Sequence, residues 1–281
     1  MNPLKPYPRQ VMGIVNCTPD SFYTGTGRMP SCDELRATIE EHLRSGADLL
    51  DFGGYSTRPG ADEITPEEEW QRLEAGLQVA EEVCRERNVW PVWSVDTFRE
   101  EVARRAVERY RVAMINDVTG GCHDEAIYRL VAETGVKYVA MHMRGTPKTM
   151  QQLTAYRDVV GEVRAWLAER VERMLTVGVQ AEQIVLDPGF GFAKEREQEY
   201  QLLAALEELT ALGYPLLVGI SRKSMVTLPL GIAKDAALPA TTALHWELLR
   251  RGASILRVHD VAAARQVVDL YNYYEKTALQ R

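Results

Sequence analysis

The sequence predicts a (β/α)8 barrel, a single closed sheet of eight parallel strands with helices packed around it. Eight short apolar runs alternate with stretches of helical periodicity, which is the order of successive βαβ units. Several of the runs are apolar almost throughout, as expected of strands buried on both faces. Polar side chains recur where the runs end, and a barrel builds its active site at the carboxyl ends of its strands.

The predicted strands are the runs rich in Val, Ile and Leu. They begin near residues 11, 47, 92, 114, 138, 184, 216 and 255. The polar residues at or near their ends are, in chain order, Asn16, Asp51, Asp96, Asn116, His142, Asp187, Ser221, Arg222, Lys223, Arg257 and His259. An open doubly wound sheet would gather such groups at one switch point, so their spread over nearly every strand favours the barrel.

The stretches between the strands carry helix signals. The first, residues 31–45, begins at Ser31 as a cap candidate and is followed by Gly46, which suits a helix end. The second, residues 66–87, follows Thr65 and opens with a proline and three glutamates, which favour the positive end of the helix dipole. The other predicted helices cover residues 99–110, 124–134, 155–177, 196–212, 240–251 and 261–275.

The bulk properties predict one domain spanning residues 1–281. A chain of 281 residues suits a single barrel, and no linker, charge block or low-complexity tract divides it. The net charge is −7, with acidic and basic residues interleaved, which argues against a nucleic-acid-binding protein. Any anionic ligand must therefore be bound by a local group of cationic residues.

Cysteine usage and the apolar runs predict a cytoplasmic protein. The four cysteines are scattered and form no CxxC pair, which favours reduced thiols over disulfides or a zinc site. The first ten residues lack the apolar core of an export signal, and no apolar run approaches the ~20 residues of a membrane span. We therefore expect no membrane partner.

One set of strand-end residues suits recognition of a flat heterocycle. Asp96 and Asp187 offer only acceptors when ionised, so each matches a ligand edge with two adjacent N–H donors. Asn116 adds a donor and an acceptor, and Lys223 supplies donors for a carbonyl or ring nitrogen. Together they could bind an amino-pyrimidinone edge.

A second set suits an anion. Arg257 and His259 are two residues apart in one predicted strand, so their side chains point the same way. Arg58 lies in the loop STRPG and Asn16 ends the first strand. Guanidinium and imidazole groups suit a diphosphate, and an amide oxygen with phosphate oxygens suits Mg2+, which keeps most of its waters.

Each of these residues has a structural alternative. Any strand-end Asp or Asn could cap the helix that follows, and Arg257 could form a salt bridge to Asp260 or Asp51. His142 ends a strand and could support neighbouring groups. The tyrosines and leucines of residues 261–275 form a packing face that could be a subunit contact.

Seven segments resemble, in order, the signature segments of dihydropteroate synthases. They are GIVNCTPDSF, DFGGYSTRPGA, SVDT, INDVTGG, LDPGFGF, GISRKS and LRVHDV, and they extend from about residue 11 to 262. The resemblance implies a (β/α)8 barrel that joins a dihydropterin-methyl diphosphate to 4-aminobenzoate in folate biosynthesis. It also implies release of pyrophosphate with Mg2+, a homodimer, and competition by sulfonamides at the aminobenzoate site.

The resemblance assigns roles by motif position. It implies a pterin pocket, with an apolar residue against the pterin ring, formed by Asp96, Asn116, Met141, Asp187 and Lys223. It implies that Asn16 lies beside Mg2+ and that Arg257 and His259 anchor the diphosphate. The aminobenzoate walls would be Thr57, Arg58, Pro59, Phe192 and Ser224. The implied mechanism is dissociative, so the catalytic groups, Arg257, His259 and Lys223, mainly supply charge and position.

Two positions depart from the family pattern. The first loop commonly reads SFSDGG, whereas this chain has SFYTGTG, with Thr24 in place of the loop aspartate. The second loop usually carries Glu before STRPG, and here that residue is Tyr55. The changed first loop favours a weakened, pterin-binding homologue as one alternative. A pterin-dependent methyltransferase is another, although it has no need of SRKS and RVHD as diphosphate anchors.

Overall fold

The eight predicted strands form a closed parallel barrel, in the order β1 to β8, so the predicted fold is confirmed. The computed structural model describes residues 7–19, 29–57 and 62–278. Within these residues the strands are β1 (Gln10–Asn16), β2 (Leu49–Gly53), β3 (Val92–Asp96), β4 (Val112–Asp117), β5 (Lys137–Met141), β6 (Ile184–Asp187), β7 (Leu216–Val218) and β8 (Ala253–Val258).

Ten α-helices in the described residues surround the barrel. They are α1 (Cys32–Arg44), α2 (Pro66–Arg87), α3 (Glu100–Arg109), α4 (Ala126–Thr134), α5 (Val159–Thr176), α6 (Arg196–Ala204), α7 (Leu206–Thr210), α8 (Ser224–Thr227), α9 (Leu238–Arg250) and α10 (Val261–Ala278). Short 3-10 helices cover Met150–Gln152, Ala181–Gln183, Leu228–Leu230 and Lys234–Ala236.

The helix starts follow the local capping chemistry. Ser31 and Thr65 each form a capping box with the glutamate three residues later, so α1 and α2 begin where the sequence predicts. The helix predicted from residue 155 begins at Val159 instead, because Asp158 accepts a hydrogen bond from the N–H of Gly161 and caps it there. The helix predicted over residues 196–212 is interrupted at Ala205, which gives α6 and α7.

The barrel interior changes from apolar to polar along the strands. One buried layer inside the barrel is apolar and consists of Met12, Leu49, Met114, Val139, Val185, Leu217 and Ile255. Side chains alternate between the two faces of a strand, so residues two positions further along point into the barrel as well. Those residues include Asp51, Asn116, Met141, Asp187 and Arg257. The apolar layer therefore lies below a polar layer, and the polar layer forms the floor of the site at the carboxyl end.

Candidate active site at the carboxyl end of the barrel

Strand register brings the predicted residues of the first four strands to one level. Asn16 on β1 is paired with Gly53 on β2, Gly53 with Asp96 on β3, and Asp96 with Asn116 on β4. On the other side of the barrel Met141 on β5 is paired with Asp187 on β6. The parallel sheet thus gathers residues that lie up to 171 positions apart in the sequence at one rim.

A buried network of charges occupies the centre of this rim. The Arg257 guanidinium donates from Nε to Oδ2 of Asp51 at 2.6 Å and from Nη2 to Oδ2 of Asp96 at 2.8 Å. Asn116 donates from Nδ2 to the same Asp51 oxygen at 3.0 Å. Asp51 is fully buried, and its other carboxylate oxygen, Oδ1, has no hydrogen-bond partner among the described residues.

These contacts decide between the alternatives that the sequence leaves open. Arg257 does form a salt bridge to Asp51, one of the two partners considered, whereas Asp260 pairs with Arg222 at 2.6 Å. The helix α3 that follows Asp96 begins at Arg99 without a side-chain cap, so Asp96 is not a helix cap. Arg257 thus links the anion-binding set to the heterocycle-binding set.

Burial shifts the protonation of Asp96. The pKa of Asp96 is raised to about 7, mainly by removal from solvent; Arg257 opposes this shift and the nearby Asp51 carboxylate adds to it. Burial also raises the pKa of Asp187 above its ordinary value. Both carboxylates therefore gain from a ligand that donates hydrogen bonds to their ionised forms.

Asp187 and Met141 lie buried on the floor of the site beside the loop that follows β6. Oδ1 of Asp187 accepts the backbone N–H of Gly189 at 2.7 Å, which uses part of its acceptor capacity in a local turn. Met141 belongs to a small apolar cluster that also contains Phe98, Met143 and Met150. Phe192 packs against this cluster, so an apolar surface borders the buried carboxylate.

Lys223 crosses from the loop after β7 toward the loop after β6. Its Nζ donates to the backbone carbonyl of Phe190 and lies 4.8 Å from the centre of the Phe192 ring. Burial lowers the pKa of Lys223 to about 8, although the Asp187 carboxylate favours the charged form. Ser224 begins the short helix α8 directly after Lys223.

His259 lies one residue beyond the end of β8, so the expectation that it shares the strand with Arg257 is wrong in detail. It still lines the same cleft as Arg257. Oγ of Ser221 accepts the backbone N–H of His259 and lies 3.1 Å from its Nδ1. Burial, together with Arg222 and Arg257, lowers the pKa of His259 to about 3, so the imidazole is neutral at neutral pH.

A cleft of about 320 Å³ opens above this floor. Most of the predicted residues that fall in the described part of the chain line it, namely Asn16, Thr57, Asp96, Phe192, Lys223, Ser224, Arg257 and His259. Asn116, Met141 and Asp187 lie buried below it. Arg58, Pro59 and Thr24 lie outside the described residues.

Tyr55, the departure in the second loop, also lines the cleft. Its ring contacts Phe98 edge to face at 5.1 Å and the Arg99 guanidinium at 5.2 Å. Arg99 in turn donates to the carbonyl of Ile64 at 2.7 Å and forms a salt bridge with buried Glu69. An aromatic residue is thus accommodated here by stacking against a cation.

Two buried residues, Asp51 and Lys194, make more contacts than their sequence patterns indicate. Asp51, which the sequence suggests only as a salt-bridge partner of Arg257, accepts hydrogen bonds from both Arg257 and Asn116. Lys194 is not among the site residues predicted from the sequence, yet its amine is buried against His142 and the loop after β6. A lysine two residues after an aromatic in a glycine-rich loop was the available signal for it.

The described residues contain no cluster of three or more His, Cys, Asp or Glu side chains that could by themselves hold a metal ion. The side-chain amide of Asn16, which lines the cleft with Thr18, offers an oxygen of the kind that binds Mg2+. Such a donor fits an ion that takes its other ligands from water and from substrate phosphates. No helix in the described part of the chain could span a membrane.

The geometry combines three chemical environments in one cleft. Buried carboxylates and an amide form the floor, guanidinium and imidazole groups lie on the β8 side, and an aromatic ring with an ammonium group forms a wall. The arrangement therefore suits positioning and electrostatic stabilisation of two substrates.

Comparisons with known proteins agree with this chemistry. The model of the pterin binding enzyme family matches residues 12–259. A dihydropteroate synthase from Synechocystis sp. is 41% identical over 262 residues, covering 92% of this chain and 87% of that protein. The solved Yersinia pestis dihydropteroate synthase with a sulfonamide drug complex superposes with a TM-score of 0.87 at 34% identity, covering 96% of this chain and 95% of that one. The Xanthomonas albilineans dihydropteroate synthase in complex with 7,8-dihydropteroate gives 0.81 at 34% identity, covering 95% and 94%.

Proposed function

Because this chain belongs to the family of pterin-binding enzymes, we propose that it is a dihydropteroate synthase, a transferase of folate biosynthesis. It joins 6-hydroxymethyl-7,8-dihydropterin diphosphate to 4-aminobenzoate and releases pyrophosphate. The observation that carries the proposal is the Arg257 guanidinium, which lies between the buried acceptors Asp51 and Asp96 and the cleft that His259 lines. One cation thereby connects a heterocycle site with an anion site.

The buried floor binds the pterin. Asp187 and Asp96 accept hydrogen bonds from the amino and ring N–H donors of the amino-pyrimidinone edge, and Asn116 supplies both a donor and an acceptor. Lys223 donates to the ring carbonyl or a ring nitrogen. Met141 and the cluster around it provide the apolar contact for the flat ring.

Arg257 and His259 bind the leaving diphosphate. The guanidinium contributes a permanent positive charge, and the neutral imidazole contributes a hydrogen bond. The bond between the pterin methylene carbon and the diphosphate oxygen breaks, and its electron pair leaves with the diphosphate. The lone pair of the aminobenzoate nitrogen then forms the new C–N bond, and that nitrogen loses a proton to water. The protein stabilises the departing charge without forming a covalent intermediate.

Mg2+ is the cofactor that the donor chemistry fits. Asn16 would hold it through the side-chain oxygen, with water and diphosphate oxygens as the other ligands. When bound, the ion neutralises charge on the diphosphate. Independently of the metal, Asn16 lies level with Gly53 and lines the same cleft as Arg257.

The aminobenzoate lies between the second loop and the Phe192 wall. Thr57, Phe192 and Ser224 line the cleft, and Arg58 and Pro59 belong to the same site by sequence. Sulfonamides are expected to compete here, since a related enzyme from Yersinia pestis was solved with such a drug. The departure at Tyr55, which lines the cleft, affects this side of the site rather than the pterin floor.

A pyrophosphate-release assay with both substrates, with and without Mg2+, tests the proposal. Turnover that requires both substrates and the metal supports it. Binding of pterin without turnover would identify a non-catalytic homologue instead. Methyl transfer from methyl-tetrahydrofolate to a corrinoid, without pyrophosphate release, would identify a pterin-dependent methyltransferase.

We further infer a homodimer formed through α10. Leu270, Tyr273 and Tyr274 are largely exposed on this helix, and Trp246 of α9 contacts the Tyr274 ring at 5.6 Å. Large apolar side chains concentrated on one face are typical of subunit contacts. Light scattering should give a dimeric mass that Tyr273→Glu converts to a monomer, whereas Leu175→Glu on α5, also exposed, should leave it unchanged. A monomeric wild type would contradict the inference.

We place the protein in the cytoplasm on the strength of its thiols. All four cysteines are free, and Cys32 and Cys122 are exposed. Exposed free thiols are typical of proteins in a reducing compartment.

A further inference from the structure

The loop between β6 and α6, residues 188–195, encloses a buried ammonium group. The Nζ of Lys194 lies 3.0 Å from the carbonyl oxygen of Gly189, 3.0 Å from that of Phe192 and 3.0 Å from Nδ1 of His142. An ammonium group has three donors, so these three acceptors satisfy it completely. Lys194 itself is only 6% exposed.

Burial of this amine is costly and is not offset by a direct ion pair. Burial lowers the pKa of Lys194 to about 7, although the nearby Asp187 and Glu199 carboxylates favour its charged form. An apolar residue of similar length would avoid the desolvation cost. We therefore expect the amine to fix the positions of the groups to which it is hydrogen-bonded.

The carbonyl groups face the amine because the loop turns sharply. Gly189 and Gly191 have φ angles of 69° and 84°, and Ala193 has a φ of 48°, which is the left-handed region that Ala rarely adopts. A Cβ on Gly189 would collide with the carbonyl oxygen of His142, so the loop passes directly over the end of β5. Tyr156 donates to the carbonyl of Ala193 at 2.9 Å and secures the far end of the turn.

His142 supplies the fixed end of this arrangement. Its backbone N–H donates to the carbonyl of Asp187 at 2.9 Å, and its ring contacts Trp166 edge to face at 5.1 Å. Burial and the adjacent Lys194 lower the pKa of His142 to about 2, so the ring is neutral and Nδ1 can accept a hydrogen bond.

Two residues of the site depend on this loop. Gly189, whose carbonyl binds Lys194, donates its N–H to Asp187 at 2.7 Å. Phe192, whose carbonyl also binds Lys194, places its ring 4.8 Å from the Lys223 ammonium. Lys194 does not line the cleft, so it reaches the substrates only through these neighbours.

We propose that Lys194, held by His142, is a positioning residue that sets the Phe192 wall for the aminobenzoate and supports the Asp187 carboxylate. The inference rests on the proposed synthase function for its kinetic consequence. Phe192 depends on Lys194 directly, whereas Asp187 keeps its own bond to the N–H of Gly189. The aminobenzoate side should therefore be affected more strongly than the pterin side.

The test compares Lys194→Met, which keeps length but removes the donors, with Lys137→Met at the opposite end of the barrel. We expect Lys194→Met to raise KM for aminobenzoate about tenfold, the loss of roughly one hydrogen-bonded constraint, while the Kd for pterin diphosphate changes less than threefold. Hydrogen exchange of the peptide covering residues 188–195 should accelerate. Lys137→Met should match wild type in all three measurements.

A second pair of variants keeps the test valid if Lys194→Met folds poorly. Asn in place of His142 can still present an acceptor near the position of Nδ1, whereas Leu cannot. His142→Leu should therefore reproduce the KM effect and His142→Asn should largely restore the wild-type value. Equal losses in both His142 variants, or unchanged exchange in a folded Lys194→Met, would overturn the inference. Wild type without turnover would refute the synthase proposal instead, and the exchange data would still decide the role of Lys194 in the loop.

Discussion

Replacement of Asp51 by Asn tests the buried charge network most directly. The change preserves shape and one acceptor oxygen but removes the charge that faces Arg257 at 2.6 Å. Breaking a buried ion pair costs about 3–5 kcal/mol. Arg257 keeps its contact to Asp96 at 2.8 Å and is 22% exposed, so we expect a loss below that range, about 2–3 kcal/mol.

That loss corresponds to a fall in Tm of about 3–5 °C for a chain of 281 residues. The assay is thermal unfolding, with calorimetric titration of pyrophosphate alongside it. Pyrophosphate affinity should fall roughly tenfold, because Arg257 loses the charged partner that orients its Nε. Asp48→Asn is the matched control, since partly exposed Asp48 pairs with Arg265 at 3.0 Å and Asn keeps an oxygen for the backbone N–H of Val11, so the change should cost about 1 kcal/mol or less.

The Asp51→Asn variant should also shift the pKa of Asp96. The Asp51 carboxylate helps to raise the pKa of Asp96, so its neutralisation should lower that pKa below about 7. The acid limb of kcat/KM, where Asp96 becomes protonated as the pH falls, should then shift to lower pH. A variant with wild-type Tm, unchanged pyrophosphate affinity and an unmoved acid limb would refute the network argument.

Three further predictions concern single roles in the site. Asp187→Ala should abolish measurable binding of pterin diphosphate, because it leaves the ligand's N–H donors unpaired, and unchanged affinity in calorimetry would contradict the pocket assignment. His259→Ala should weaken diphosphate-bearing ligands by about 10-fold or more, the loss of a hydrogen bond to a charged group, but barely affect free pterin; equal losses for both would refute the anchor role. The pKa of Lys223 is lowered to about 8, so kcat/KM should fall as the pH rises through that value and the amine loses its proton. Lys223→Arg keeps the charge and should remove this alkaline limb, and a limb that persists at the same pH would belong to another group.

Much of the site could be predicted from the sequence because the barrel obeys simple periodicity. Apolar runs locate the strands, and the two-residue alternation places Asn116, Asp187 and Arg257 on the inner face. The closed sheet then fixes which end of the strands faces the substrates. These steps need no knowledge of the three-dimensional contacts.

The partners of each side chain could not be predicted in this way. Whether Arg257 meets Asp51, Asp96 or Asp260 depends on the relative shift of strands that lie far apart in the sequence, and periodicity says nothing about that shift. The role of Lys194 could not be predicted, because the direction of its side chain depends on left-handed residues in its loop. One of them is Ala193, and alanine gives no sequence signal for such a conformation.

The polar floor of the barrel limits which positions of this chain can accept substitutions during evolution. Asp51 and Arg257 stabilise the closed sheet and also shape the ligand site, so a substitution at either is constrained by folding and by binding at once. Residues of the second loop, such as Thr57, line the cleft without contributing to the strand network. Mutations that alter the affinity of the cleft for its second substrate or for an inhibitor should therefore accumulate in the loops, while the residues of the floor stay nearly unchanged.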